Sequence, residues 1–437
     1  VDRTFKDWEI LVVRRMAWSV VSLLGCLVLI WAIPWLDLRR SRPQTNSRDS
    51  FRENLSERPT LRLRSGLVSV EPQIRVGLKE SPVAAFNLSV SGPFQVCDLT
   101  TGRVLWQAKL LHSCRVFVGD GGIEFGDRRF GTGAVEVIAT TPPAIWVDQT
   151  LYRGVVRISP AAGRRVLPVN VLPLEQYLAS VVDSEMPASF PEEARRAQAI
   201  VARTYALYQQ SRSSAGGALD LYASTRSQKY RGFQYRDDKG RLLAGESASS
   251  RATVEATRGV IGTYCEDLFC AYYGAVCGGC TVDGQAVFAD AAPPLQSVPC
   301  DHCREARLYR WQIRVSRKEA EELFRKAARR KGKTLGTLRT IQLVRDKVGD
   351  CRLRDERGEI ELTGAEIRQV FSNKGLASPR FTIREQGTDL LFEGQGHGHG
   401  VGLCQWGARG LAQKGWSAQR IFTYYYPGAK LADAGYR

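Results

Sequence analysis

The chain has 437 residues, 43% of them apolar, and its 62 lysines and arginines against 45 acidic residues leave a formal charge of +17. This length allows two or three domains, or one large domain with insertions, and the apolar share excludes an intrinsically disordered chain. The charge points to a polyanionic partner: nucleic acid, acidic lipid or an anionic wall polymer. Nucleic acid is set aside, because the arginines are dispersed and no zinc-finger, RNA-recognition or basic-zipper pattern occurs.

Residues 1–15 read as a short tail. Residues 16–36, MAWSVVSLLGCLVLIWAIPWL, carry no charge over about the length that crosses a bilayer as a helix. Arg14 and Arg15 precede this run, Arg39, Arg40 and Arg42 follow it, and Trp18, Trp31 and Trp35 suit the interfaces. No small-x-small cleavage site follows, so an uncleaved, single-pass signal anchor is predicted. Arginines on both sides leave its orientation open by charge; the expected arrangement has the tail inside the cell and the bulk of the chain outside. Residues 37–69, rich in Arg and Ser, read as a juxtamembrane linker.

From residue 70 to 165 the chain is β-rich: IRVGL, FNLSV, RVLWQAKL, RVFV, AVEVIA and VVRISP are apolar or alternating runs parted by Gly, Pro and Asp. LPLEQYLASVVD then has helical spacing, with Leu174, Tyr177, Leu178 and Val181 on one face. Pro187 and Pro191 interrupt, and EEARRAQAIVARTYALYQQ resumes as helix, with Pro191 in a first-turn position and Glu192 and Glu193 complementing the positive helix end. Residues 211–300 read as loops and short strands. Within a 305–395 segment of α+β character, SRKEAEELFRKAARRK predicts an amphipathic helix and LTGAEIRQVF a shorter one. The chain closes on the glycine-rich GQGHGHGVGLCQWG, then WGARGLAQKG and YYYPGAK. Strands, a helical hairpin, then strands again predict an α+β fold, with mixed strands around a central helical hairpin.

An ordered set of these stretches resembles the SpoIID/LytB family, the stage II sporulation protein D group and its amidase-enhancer relatives. LPLEQYLASVVDSEMPASFPEEARRAQAIVARTYAL is similar to the family's central hairpin and STRSQKYRGF to its Gln-x-Tyr-x-Gly element. VEATRGVIGTYCEDLFCAYYGAVCGGCT is similar to the following strand pair and Gly-Gly turn, and GHGHGVGLCQWGARGLAQKG to the C-terminal signature. The resemblance covers residues 70–432, with 166–432 as the expected catalytic core. Two departures stand out: Cys277 and Cys404 occupy positions where small polar residues are expected, and Cys280 lies where an aromatic or His is commoner.

The resemblance implies cleavage of peptidoglycan glycan strands stripped of stem peptides, with Glu185 of Glu-Met-Pro as catalytic acid and no cofactor required. The residues are compatible with it. Glycosidic cleavage ordinarily takes two carboxylates. A lytic transglycosylase needs one, because the C6 hydroxyl of the muramic sugar attacks the anomeric centre and a single Glu serves first as acid, then as base. Met186 and Pro187 give Glu185 an apolar flank, which keeps a carboxyl protonated. Arg203 is the arginine expected to face it and to bind substrate. In SQKYRG, Gln228 and Tyr230 share one side of an extended segment and suit sugar hydroxyls and a pyranose face. His399, Gln405 and Trp406 are the expected cleft-lining residues of the C-terminal signature. The alternative function implied by the amidase-enhancer branch is a wall-binding protein that stimulates an amidase without cleaving.

Cys277-Gly-Gly-Cys280 and Cys300-Asp-His-Cys303 have the spacing of a four-cysteine zinc site, with His302 in reserve. Outside the membrane the same cysteines are candidates for disulfides, as are Cys97 with Cys114 and Cys265 with Cys270. Either role is structural. The expected setting is the cell envelope, with glycan strands, the membrane and a wall amidase as partners.

Overall fold

Strict alternation shapes the first half of the chain. In Ala85–Val90, Phe86, Leu88 and Val90 point inward while Asn87 faces solvent, the period of a strand buried on one side. The computed structural model describes residues 70–436 apart from 132, 214–216 and 346. Such strands build two sheets. One has seven strands in the order Leu221–Tyr222, Gln73–Gly77, Arg165–Pro173, Val155–Ala161, Val135–Ala139, Phe94–Asp98 and Val104–Ala108. The other has eight, with Ala85–Val90 and Leu111–Gly119 near its middle. Val96, Val137 and Val156 of the first sheet and Phe86, Leu88 and Val116 of the second share one core with Leu178 and Val181 of the first helix. The fold is mixed α+β.

That helix, α1 (Leu174–Glu185), starts where Arg165–Pro173 leaves its sheet, and ends because Pro187 disfavours helical backbone at the preceding residue. Met186 is accordingly extended, at φ −127° and ψ 128°. The next helix, α2 (Glu192–Arg212), is buried continuously from Ala194 to Leu207. Its alanines at 194, 197, 199, 202 and 206 let neighbours approach on several sides. Pro191 stands just before it as N-cap.

A third helix, α3 (Ala248–Ala256), falls in a stretch that reads as loop in the sequence. Its Ser- and Thr-rich composition is weakly helical. A reciprocal capping box between Ser247 and Ser250 and packing on α1 and α2 stabilise it nonetheless. The Ser-x-x-Ser pair was its only local signal.

Residues 304–396 form a substructure with its own core. Strands Arg310–Ser316, Phe381–Gln386 and Asp389–Gln395 make one sheet, and Thr340–Leu343, Cys351–Asp355 and Gly358–Leu362 another. Helices α4 (Arg317–Arg330) and α5 (Gly364–Phe371) pack Phe324 and Phe371 against Leu353, Leu362 and Phe392. Truncating the fully buried Phe324 to Ala is expected to cost about 3–5 kcal/mol of this core's stability. Calorimetry of the variant should show an early transition ahead of the main one.

After the insert come α6 (Gln405–Gln413) and α7 (Ala418–Tyr425), whose Leu411, Ile421 and Phe422 join α2 in a further core. Among the described residues no helix is long and apolar enough to cross a membrane. The anchor expected at 16–36, with its tail and linker, lies outside the described residues.

Candidate functional site

Three segments converge on the C-terminal end of α1. The α1–α2 hairpin supplies Glu185 and Gln198. The extended segment 228–231 runs alongside. Tyr273–Gly274 pairs in parallel with Leu403–Cys404, which brings Tyr273 and Gln405 to the same place. That pairing depends on Gly402 (φ 70°), where a Cβ would lie 1.9 Å from the Tyr272 carbonyl oxygen.

Glu185 is half-buried. One carboxylate oxygen accepts the Lys229 backbone N–H at 2.9 Å, and the other accepts Gln405 Nε2 at 3.3 Å. Gln405 also donates to Gln198 Oε1 at 3.3 Å. Burial pushes the Glu185 carboxyl above its ordinary value; the hydrogen bonds from Lys229, Gln405 and Tyr273 and the Lys229 charge only partly oppose this. The negative end of α1 works in the same direction as burial. Lys229 and Tyr273, both half-buried, lie beside the carboxyl.

Arg203 does not face Glu185, and the expectation that it binds substrate is corrected. It is fully buried, with Nε and Nη2 on the two oxygens of Glu175 at 2.8 and 2.6 Å and Nη1 on the Val260 carbonyl at 3.0 Å. Tyr436 also donates to Glu175, at 2.6 Å. The reason is the hairpin's antiparallel course. From Glu192 to Arg203 helix α2 travels about 16 Å, nearly the length of α1, so Arg203 arrives opposite the start of α1 rather than its end. Arg195, near the start of α2, pairs with Asp183 instead, whose other oxygen accepts the Ser247 N–H at 2.5 Å. Arg196 pairs with Glu192 and Glu193.

Gln228 and Tyr230 do share one side of their segment, but that side faces inward; both are buried, which corrects their assignment as direct sugar contacts. Gln228 accepts from Tyr177 and donates to Tyr273, each at 3.2 Å, and Tyr230 donates to Asn170 at 2.8 Å. Their burial fixes the backbone between them, which is what offers the Lys229 N–H to Glu185. His399 is likewise a support. Its Nδ1 accepts the Val401 N–H at 3.1 Å, its ring packs edge-on to Phe288, and burial lowers its pKa to about 4 against a hydrogen bond with the Tyr273 backbone. It therefore stays neutral and holds the loop that carries Gln405. Trp406 stands edge-on to Phe190 with Arg409 over its ring. Of the residues singled out in the sequence, Gln405 alone donates a hydrogen bond to Glu185. Tyr273, Gln198 and Lys229 are additions that no local motif announced, since long-range pairing brings them in.

The cysteines also regroup. Sulfurs of Cys277, Cys300, Cys303 and Cys404 lie within 4.8 Å of one another, all buried, and could bind a metal. Cys280 is not among them, correcting the paired-knuckle set. Its backbone pairs with Pro299, and its sulfur turns away to Ser297 Oγ at 3.0 Å. The signal for Cys404 was its departure from the family pattern, shared with Cys277. The ten described cysteines are all unbridged, so neither the Cys97–Cys114 nor the Cys265–Cys270 pairing is formed.

A family model described as stage II sporulation protein (SpoIID) matches residues 162–264, which span α1, α2, α3 and Glu185. The stage II sporulation protein D of Bacillus subtilis is 27% identical over 302 residues, 68% of this chain and 84% of that one. The amidase enhancer of the same organism is 23% identical over 302 residues, 59% of this chain and 40% of that one. These similarities are all to the SpoIID/LytB family. An uncharacterized protein of Brachyspira hyodysenteriae is similar along more of the chain, 26% identical over 361 residues, or 82% of this chain and 93% of that one. A second family model, for a domain of unknown function, matches residues 298–402, a range that takes in the separate core of the insert.

Proposed function

We propose that this SpoIID/LytB protein acts on the cell wall as a lytic transglycosylase, cleaving glycan strands stripped of stem peptides. The observation that carries the reading is a single half-buried glutamate held by uncharged donors while the neighbouring acids are committed elsewhere. Asp183 serves Arg195 and the start of α3, and Glu175 serves Arg203. A lone carboxyl whose hold on its proton is strengthened by burial suits a reaction that needs no second acid.

In this mechanism Glu185 gives its proton to the bridging glycosidic oxygen as the bond to the anomeric carbon breaks. The C6 hydroxyl of the muramic sugar then closes on that carbon, and its proton returns to Glu185. The products are a free strand end and a 1,6-anhydro end. Gln405 and the Lys229 N–H hold the carboxyl, and half-buried Trp406, next to Gln405 in the chain, is the aromatic residue proposed to meet a sugar ring.

A second reading is supported by the similarity to a protein named amidase enhancer: wall binding that stimulates an amidase without cleavage. Incubating the protein with stripped strands and weighing the products separates the two. Anhydro ends support the transglycosylase, reducing ends a hydrolase, and intact strands the enhancer.

Both readings set the protein in the cell envelope, on a polymer whose muramic carboxylates are free once the peptides are gone. The +17 charge then favours binding. Strand affinity is expected to drop as salt rises from about 0.05 to 0.5 M, as exposed charge pairs are screened. An affinity flat across that range, measured by co-sedimentation, would remove the electrostatic part of the reading.

A further inference from the structure

We propose that Cys277, Cys300, Cys303 and Cys404 hold a zinc ion as four thiolates, and that this centre fixes Gln405 against Glu185 while clamping both ends of the 304–396 insert. The dimensions fit. A tetrahedral site with zinc–sulfur bonds near 2.3 Å has sulfur–sulfur edges of about 3.8 Å. All four sulfurs here lie within 4.8 Å of one another, and Cys277 and Cys303 are 3.6 Å apart.

The surroundings suit sulfur that carries negative charge. The backbone N–H groups of Cys277 and Gly407 both point at Cys404 Sγ, at 3.2 and 3.4 Å, and the Tyr425 hydroxyl lies 3.1 Å from Cys300 Sγ. Such outer contacts orient thiolate ligands and stabilise their charge. Cys404 is also the N-cap of α6, whose positive end favours an anionic cluster. The Arg380 guanidinium reaches in to the Cys280 carbonyl at 3.1 Å. Gly407 leaves no slack: a Cβ there would sit 2.6 Å from Cys300 Sγ and 2.0 Å from the Tyr425 oxygen.

Position in the chain gives the cluster its consequence. Cys300 and Cys303 immediately precede the insert and Cys404 closely follows it, so one ion would tie both of its ends to the Cys277 turn. Closing so long a loop removes much of its freedom in the unfolded chain. The residue after Cys404 is Gln405, which donates to Glu185. That last consequence rests on the acid role proposed for Glu185; metal binding itself does not.

The test uses the full-length protein purified from zinc-supplemented cells, with metal content by mass spectrometry and zinc-edge X-ray absorption on the unmodified chain. One zinc per chain with a four-sulfur shell is expected, and C280S should retain it while C404S loses it. A chain without zinc, a shell containing nitrogen, or loss of the ion in C280S overturns the site. The absorption measurement decides the ligand set even if C404S fails to fold. Chelating the ion should slow strand cleavage about 10-fold or more, and unchanged cleavage after its removal overturns the coupling to Gln405. Zinc present in a protein that never cleaves strands would count against the transglycosylase reading and leave the metal site standing.

Discussion

Glu185→Gln is expected to lower strand cleavage by at least about 100-fold, the usual weight of a general acid, while glycan binding stays close to that of the unmodified protein. Glutamine keeps the shape and accepts the Lys229 N–H, but has no proton to give. The same variant carries a stability signature of opposite sign. Because burial raises the Glu185 carboxyl, the folded protein keeps that proton at a pH where the unfolded chain, near the ordinary value of 4.5, has released it. Stability from this group is therefore complete below about pH 4.5 and is lost as pH rises through the raised value. Above that window the native state carries the cost of a buried anion, and the glutamine variant does not. Thermal melts should show Glu185→Gln more stable than the parent at neutral pH, with the gap closing near pH 4. Full activity in this variant would remove the mechanism, whatever the melts show.

Arg203→Met is expected to cost about 3–5 kcal/mol, the penalty for stranding a buried carboxylate. Glu175 sits among Arg203, Tyr436 and the Gly259 N–H; burial pushes its carboxyl up, but the Arg203 charge and these hydrogen bonds outweigh burial and hold it below the ordinary value. Loss of the guanidinium leaves that charge in a site closed to water. The network joins α1, α2, the Val260–Tyr264 strand and the C-terminus, so the damage should be global, read as a lower denaturant midpoint. Strand affinity per folded molecule should not change, which distinguishes this role from substrate binding. Pairing the change with Glu175→Gln should recover part of the loss, since the two residues act as one unit.

The hairpin shows what periodicity could and could not deliver. The hairpin, its breakpoint at Pro187 and its acidic first turn were legible, because they rest on local backbone rules. The partner of Arg203 follows from the rise of α2, which along an antiparallel pair carries it away from Glu185 to Glu175 at the start of α1. Gln228 and Tyr230 illustrate a different limit. An extended segment assigns them to one face, yet alternation cannot say whether that face meets solvent or core. Helix α3 went unseen because its residues favour turns in isolation, and its stability comes from capping and from packing on α1.

The amino-acid sequence alone determined the α+β class, the hairpin that ends on Glu185 and the resemblance to the SpoIID/LytB family, because these follow from short-range patterns and ordered motifs. Tertiary structure alone decided which groups touch that glutamate and which cysteines meet. Tyr273, Gln405 and Cys404 reach the site through parallel pairing between segments far apart in the chain, and no local spacing records such a meeting. The regular spacing of Cys277-Gly-Gly-Cys280 and Cys300-Asp-His-Cys303 suggested a paired set that the fold undoes, turning the Cys280 sulfur to Ser297 and bringing Cys404 in. A residue's type states the chemistry it can perform, and the packing around it determines where that chemistry is available.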